Sequence, residues 1–367
     1  MKKRWIAGAV ALLLLMTGCA APHVDGTAAP SQDVVSLPES TPEPSPAQST
    51  ATPLPGSAIA GKAVYRPETV PSAFAQSETF SSELYALLTS SIRAGSDEAD
   101  PQGLAFTDEQ FEGVRAFLLS RNPWGTLTDI TRDQEGAIKL TYATEDVEER
   151  ALNAQKFDEA VSLILETTIP EGCTQLSAAV ALYKYVAQTI EEDYEAADGG
   201  LYGALVLGKG VESAYAYAYS FLLDQIGVQN TVVFSEDGTH AWNVLTMEGM
   251  SFHCDPQVES GLNGGQALTL FGLSDRELSE KTGWNTYTSE NRALLDCDAE
   301  ILTGVKEAPY ADVETAGNAL YFTRMEGLDG VFRFDLSSGD VIEVAQAQPT
   351  ALAVLGDNVY YLEEQDS

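Results

Sequence analysis

The sequence predicts an α+β protein: a buried central helix packed on an antiparallel sheet, followed by a short all-β extension. Three stretches carry this expectation. From 211 to 226, within "GKGVESAYAYAYSFLLDQIG", the chain is apolar on every side, with charges only at Glu212 and Asp224. A helix of that kind is stable only when it is covered all round. "NTVVFS", "THAWNVLT" and "MSFHCD" follow as three strands separated by turns. Beyond Gly317, "GNALYFTRMEGLDGVFRFDLSSGDVIEVAQ" reads as strands broken by Gly-Leu-Asp-Gly and Ser-Ser-Gly-Asp turns.

The N-terminus addresses the chain outward. "MKKRW" is a basic start and "IAGAVALLLL" an apolar run too short to span a bilayer. "MTGC" then resembles a bacterial lipobox. The resemblance implies a signal peptide over 1–18, lipidation of Cys19, and an extracytoplasmic protein anchored to the bacterial membrane. Met16 stands where Leu is usual. Residues 19–62 read as a disordered tether. Eight of the sixteen prolines lie between Pro22 and Pro55, among Ser, Thr, Ala and Glu, a composition that cannot bury enough apolar area to offset its ordering entropy.

The folded part is expected over 63–300. In "FTDEQFEGVRAFLLSRNP", Thr107 and Gln110 form a capping box, Phe111, Val114, Phe117 and Leu118 share a face, and Asn122–Pro123 stops the helix. "GAIKLTYA" alternates Ile138, Leu140 and Tyr142 as a half-buried strand. A helix over 147–166 ends before Ile169–Pro170. Thr174 caps the next, whose core face is Leu176, Val180, Tyr183, Ala187 and Ile190. Gly208 and Gly210 lead into the buried helix and Gly227 ends it. In "LFGLSDRELSEKTGW" Ser274 caps a short closing helix.

The chain has 20 Lys+Arg against 55 Asp+Glu, a formal charge of −35, so nucleic acid and anionic membrane surfaces repel it. Three histidines are too scattered for a metal site, and no cysteine spacing is that of zinc, so neither cofactor nor metal is expected. With Cys19 acylated, Cys173, Cys254 and Cys297 allow at most one disulfide.

The chemistry concentrates in "THAWNVLTMEGMSFHCD". A two-residue turn at Glu248–Gly249 pairs Met247 with Met250 and sets Trp242 opposite Asp255. Period-two alternation then puts His240, Trp242 and Asp255 on one face, with His240 and Asp255 diagonal neighbours in hydrogen-bond reach. A carboxylate-oriented imidazole is the base half of a nucleophilic triad, whose nucleophile belongs at a helix N-terminus. "GKGVESAYAYAY", "GTHAWNV" and "GMSFHCDPQ" together resemble the bacterial transglutaminase-like domain. The resemblance covers residues 64–295.

That family implies a papain-like fold with a Cys-His-Asp triad. Carried over, His240 is the base and Asp255 its orienter. The nucleophile's place is taken by Glu212 and the neighbouring glycine's by Ala214. Glu212 facing His240 would give a Glu–His–Asp cluster, and Trp242 and Tyr215 are the candidate ligand-contacting residues. No other nucleophile sits well: Ser213 is about 100° round the helix, Cys254 alternates away from Asp255, Cys173 begins another helix and Cys297 lies past the domain's end. The expected function is a catalytically inactive binding or scaffold module for a peptide or cell-wall component. The alternative is an acyl transferase or cysteine-type peptidase with a non-standard nucleophile. Residues 315–367 resemble incomplete β-propeller repeats, with "GDNVYYLEEQ" from Gly356 echoing Gly317.

Overall fold

The computed structural model describes residues 34–36, 54–195, 200–290, 295–306, 313–325, 328–356 and 358–363. The expected signal peptide and most of the tether, Cys19 included, lie outside these residues.

Within them the tether expectation needs correction at both ends of the fold. Val34–Ser36 forms a short strand (β1). From residue 54 the chain is already part of the folded body: Ile59 N–H donates to Cys173 O at 2.8 Å and Gln175 N–H to Ser57 O at 2.8 Å. Leu54 and Ile59 pack on the main core. Proline-rich composition hides these anchors, because two apolar side chains and a pair of backbone bonds leave little mark on it.

Helices α1 (Ser82–Arg93) and α2 (Asp108–Arg121) flank the two-residue strand β2 (Glu98–Ala99), which joins β3 (Leu127–Arg132) and β4 (Ile138–Tyr142) in an antiparallel sheet of order β2-β4-β3. The Thr107–Gln110 capping box is present in both directions, and Asn122 ends α2 in the left-handed conformation. Next come α3 (Val147–Thr168) and α4 (Gln175–Thr189), the latter capped by Thr174. Strands β5 (Glu191–Glu192) and β6 (Lys209–Gly210) pair in parallel around α5 (Gly200–Val206) and lead into the central helix, α6 (Glu212–Gln225).

Helix α6 is buried as its composition requires. Tyr215, Ala216, Ala218, Tyr219, Leu222 and Leu223 are inaccessible. Tyr219 Oη donates to Ala179 O in α4 at 2.9 Å, so that side carries hydrogen bonds as well as packing. On the other side lies a five-stranded antiparallel sheet of order β10-β9-β8-β7-β11. Its strands are β7 (Gln229–Ser235), β8 (Ala241–Met247), β9 (Met250–Cys254), β10 (Phe271–Leu273) and β11 (Tyr287–Ser289). Asn243 Nδ2 of β8 donates to Ala216 O of α6 at 2.9 Å. Helices α7 (Pro256–Asn263) and α8 (Asp275–Thr282) complete this part, and Ser274 caps α8 through a capping box with Glu277. The three-residue strands β10 and β11 are too short to show alternation in sequence.

The C-terminal region forms a four-stranded antiparallel sheet of consecutive strands, β12 (Glu314–Ala316), β13 (Ala319–Met325), β14 (Leu328–Asp335) and β15 (Val341–Ala345). A second sheet has order β1-β17-β16, with β16 (Pro349–Leu355) and β17 (Asn358–Glu363). This extension is no separate body. Leu320, Phe322 and Phe332 belong to the main core, and Asn318 Oδ1 accepts from Thr174 N–H at the start of α4 at 2.7 Å. The architecture is therefore mixed helix and antiparallel sheet with a β extension sharing its core.

Asp224, near the end of α6, joins the helix to the segment before α1. Its Oδ1 accepts from Ser72 N–H at 3.0 Å and from Asn230 Nδ2 at 3.0 Å. Burial nevertheless pushes its carboxyl up to about 7, outweighing these donors. A carboxyl raised in the folded state costs stability only once the unfolded chain ionises. The penalty is absent below about pH 4, grows toward pH 7 and is constant beyond it. Asp224→Asn should therefore raise the melting temperature by several degrees at pH 8 and leave it nearly unchanged at pH 4; calorimetric scans at the two pH values check both parts.

Candidate functional site

The β8–β9 hairpin has the register that the Glu248–Gly249 turn dictates: Met247 pairs with Met250 and Asn243 with Cys254. Glu248 (φ 50°) and Gly249 (φ 82°) are both left-handed, the conformation that matches strand twist in a two-residue turn. One step beyond the paired residues, Trp242 and Asp255 stand opposite each other.

Asp255 is fixed from four directions. Its N–H donates to Leu270 O at 3.0 Å, and its carbonyl accepts from Tyr183 Oη of α4 at 2.9 Å. Its Oδ1 caps α7, accepting from Val258 N–H at 3.0 Å, and its Oδ2 lies 2.7 Å from Nε2 of His240. The His240 backbone is held in turn: its N–H donates to Ser235 Oγ at 3.0 Å and its carbonyl accepts from Ser235 N–H at 3.0 Å. Exposure is 7% for His240 and 0% for Asp255. With Nε2 committed to the carboxylate, Nδ1 is the nitrogen left to take a proton, and it has no hydrogen-bond partner among the described residues. This is the arrangement of an oriented general base.

Trp284 covers the imidazole, with ring centroids 4.1 Å apart and planes at 18°. It also stacks on Trp242 at 5.2 Å. Sequence reasoning missed Trp284. It follows Gly283, the left-handed cap of α8, in a segment without periodicity, and only the tertiary fold brings it over His240.

Glu212 occupies the first position of α6, where the helix dipole favours a carboxylate by about 0.3–1 kcal/mol. The expected Glu–His–Asp cluster is not formed. Among the described residues Asp255 is the ion-pair partner of His240, while Glu212 Oε1 accepts from the exposed phenol of Tyr194 at 3.3 Å. The Tyr194 hydroxyl also bonds Glu192 Oε1 at 2.7 Å, and Gln257 Nε2, beside Asp255 on α7, donates to the same oxygen at 3.3 Å. A half-buried carboxylate keeps part of its solvation, which pairing with a buried imidazole would remove.

Trp242 and Tyr215, expected to contact ligand, are instead core residues, 0% and 1% exposed. Trp242 packs with Val233, Val244 and Leu273 on the sheet face opposite α6. Tyr215 Oη donates to Ile190 O at 2.5 Å. Strand alternation placed Trp242 on the His240 face correctly, but α8 and the chain after it cover that face.

Among the described residues the fold does assemble one Cys-His-Asp group: ligand atoms of His253, Asp275 and Cys297 lie within 4.8 Å of one another. Its hydrogen bonds exclude both triad and metal chemistry. The Trp242 indole N–H, which can only donate, points at His253 Nδ1 at 2.9 Å. The His253 proton therefore sits on Nε2 and is donated to Asp275 Oδ1 at 3.0 Å. No lone pair remains for a cation or a thiol proton. Burial lowers the His253 pKa and pushes the Cys297 thiol up to about 12, the reverse of an activated pair.

Cys173 and Cys254 are likewise free, buried and raised by burial. In a chain carrying Cys19→Ser, all three remaining thiols should resist iodoacetamide while the protein is native and react fully in guanidinium. A thiol that labels within minutes in the native state, located by peptide mapping, would contradict this assignment.

No family model matches the chain and no curated protein matches it. Among solved structures, one similar chain is described as a "Putative Cysteine Protease from Cytophaga hutchinsonii". The identity is 13% and the TM-score 0.24, over 27% of this chain and 37% of that one. This chain thus spans little more than a third of that protein, a likeness too slight to carry an argument.

Proposed function

We propose that the protein is a lipid-anchored, extracytoplasmic binding or scaffold module built on a transglutaminase-like, papain-type fold from which the nucleophile has been lost. One observation carries this reading. Helix α6 begins with Glu212, a carboxylate bonded to Tyr194, while His240 and Asp255 keep the hydrogen bond of a base and its orienter. The three described cysteines are buried with raised thiol pKa values, which supports the absence of thiol chemistry. A carboxylate cannot replace a thiolate in acyl transfer from a glutamine amide, so a peptide or wall component held by this domain would not be turned over. Anchoring rests on "MTGC" and Cys19; among the described residues no helix is long and apolar enough to cross a membrane.

The wild-type domain is expected to crosslink no glutamine substrate and cleave no peptide. Glu212→Cys should create a thiol that reacts with iodoacetamide at pH 7 about tenfold faster than the same thiol in a Glu212→Cys, His240→Ala double variant. Equal rates would show that position 212 does not face the imidazole and would remove the basis of this reading.

Cys19→Ser should move the protein from the membrane fraction to the soluble fraction on cell fractionation. Retention in the membrane would refute the lipid anchor.

A further inference from the structure

A groove of about 620 Å³ runs between α2, α6 and β7. Its floor is aromatic: Phe74, Phe117, Tyr217 and Phe234 line it, with Phe74 and Phe117 in edge contact at 5.4 Å. Its rim is acidic, formed by the exposed Glu109 and Glu112 on consecutive turns of the α2 face.

The cation in the groove is already committed. The Arg121 guanidinium lies between Phe117, 4.4 Å from the ring centre, and Tyr217, at 3.9 Å, and is ion-paired to Glu290, with both side chains 8% exposed. Arg121 and Glu290 cancel and neither is free for an anionic ligand. At the rim, Glu112 has one loose contact, 3.4 Å to the part-exposed Arg115, and Glu109 has no ion-pair partner among the described residues. The groove therefore presents one carboxylate without an ion-pair partner among the described residues, Glu109, and a second, Glu112, that shares Arg115 with Asp129, above an apolar floor.

The wall is preformed. Gly113 brings α2 so close to the segment before α1 that a Cβ there would meet Thr79 O at 2.1 Å. Backbone against backbone leaves nothing to reorganise on binding, which lowers the entropic cost of holding a ligand.

We propose that this groove binds an extended cationic peptide, with an aromatic side chain on the floor and lysine or arginine at the rim. In an extended strand successive side chains point to opposite faces, so a basic residue next to an aromatic one reaches the rim while its neighbour reaches the floor. Desolvated aromatic anchors supply affinity, and the rim carboxylates supply selectivity and association rate. The inference stands apart from the His240 and Glu212 reading, since none of its residues belongs to that constellation.

The test uses the full chain carrying Cys19→Ser and the fluorescein-labelled peptide Lys-Phe-Lys-Phe-Lys, followed by anisotropy. Saturable binding is expected, with none of Glu-Phe-Glu-Phe-Glu and at least about tenfold weaker binding of Lys-Gly-Lys-Gly-Lys. Glu109→Lys combined with Glu112→Lys, both exposed and safe for folding, should weaken Lys-Phe-Lys-Phe-Lys by about tenfold or more. Glu343→Lys, an exposed charge reversal on β15, should leave it unchanged. The proposal is overturned if Lys-Phe-Lys-Phe-Lys does not bind or if Lys-Gly-Lys-Gly-Lys binds equally well. It also falls if Glu343→Lys weakens binding as much as the rim pair, which would mean diffuse attraction to an acidic chain. Failure of the Glu212→Cys experiment leaves these outcomes untouched.

Discussion

The burial of α6 is the constraint on which the rest of the molecule depends. A helix with no polar face must be covered on every side, and two of its neighbours, α4 and β8, meet it with both packing and hydrogen bonds. Tyr215 and Tyr219 send their hydroxyls to the carbonyls of Ile190 and Ala179, and Asn243 reaches Ala216 O from the sheet. These three bonds hold α4 and β8 at fixed positions on opposite sides of the helix. Each also satisfies a polar group that would cost about 1–3 kcal/mol if left buried without a partner. Because α6 cannot shift, the position of its first residue, Glu212, is fixed relative to the sheet.

The second fixed point is Asp255. One carboxylate oxygen caps α7 and the other holds His240, while the backbone of the same residue bonds to Leu270 and to Tyr183. Behind it Glu259, completely buried, accepts from Tyr183 Oη at 3.0 Å and from Leu270 N–H at 2.7 Å. Two acidic side chains are thus buried a helical turn apart at the start of α7, each held by its own hydrogen bonds. A general-base geometry kept in such a frame is expensive to remove by mutation, because Asp255 also starts a helix. The imidazole–carboxylate pair is thus part of the scaffold as well as a candidate site.

The two histidines of the β8–β9 region show how tertiary contacts assign opposite characters to one residue type. His240 leaves Nδ1 without a hydrogen-bond partner among the described residues, while His253 has both nitrogens engaged and its pKa lowered by burial. The distinction comes from Trp242. Its ring stands near His240 and its indole N–H closes off His253. The residue expected to touch a ligand therefore serves as the divider between a candidate site and an inert cluster.

Much of this was legible in the sequence, where a local rule sets the outcome. The capping box at Thr107, the cap at Ser274 and the all-round apolar run of α6 each depend on neighbours within a few positions. So does the Glu248–Gly249 turn that fixes the hairpin register and brings His240 to Asp255. What the fold alone decided are contacts between segments far apart in the chain. Trp284 lies over His240, Tyr194 meets Glu192 and Glu212, and Leu54 and Ile59 draw the end of the tether into the core. Cys297 joins His253 and Asp275 across the outer face of the sheet. Periodicity and capping report which face a side chain takes on its own element. Which distant segment covers that face depends on packing of the whole core, and no local pattern encodes it.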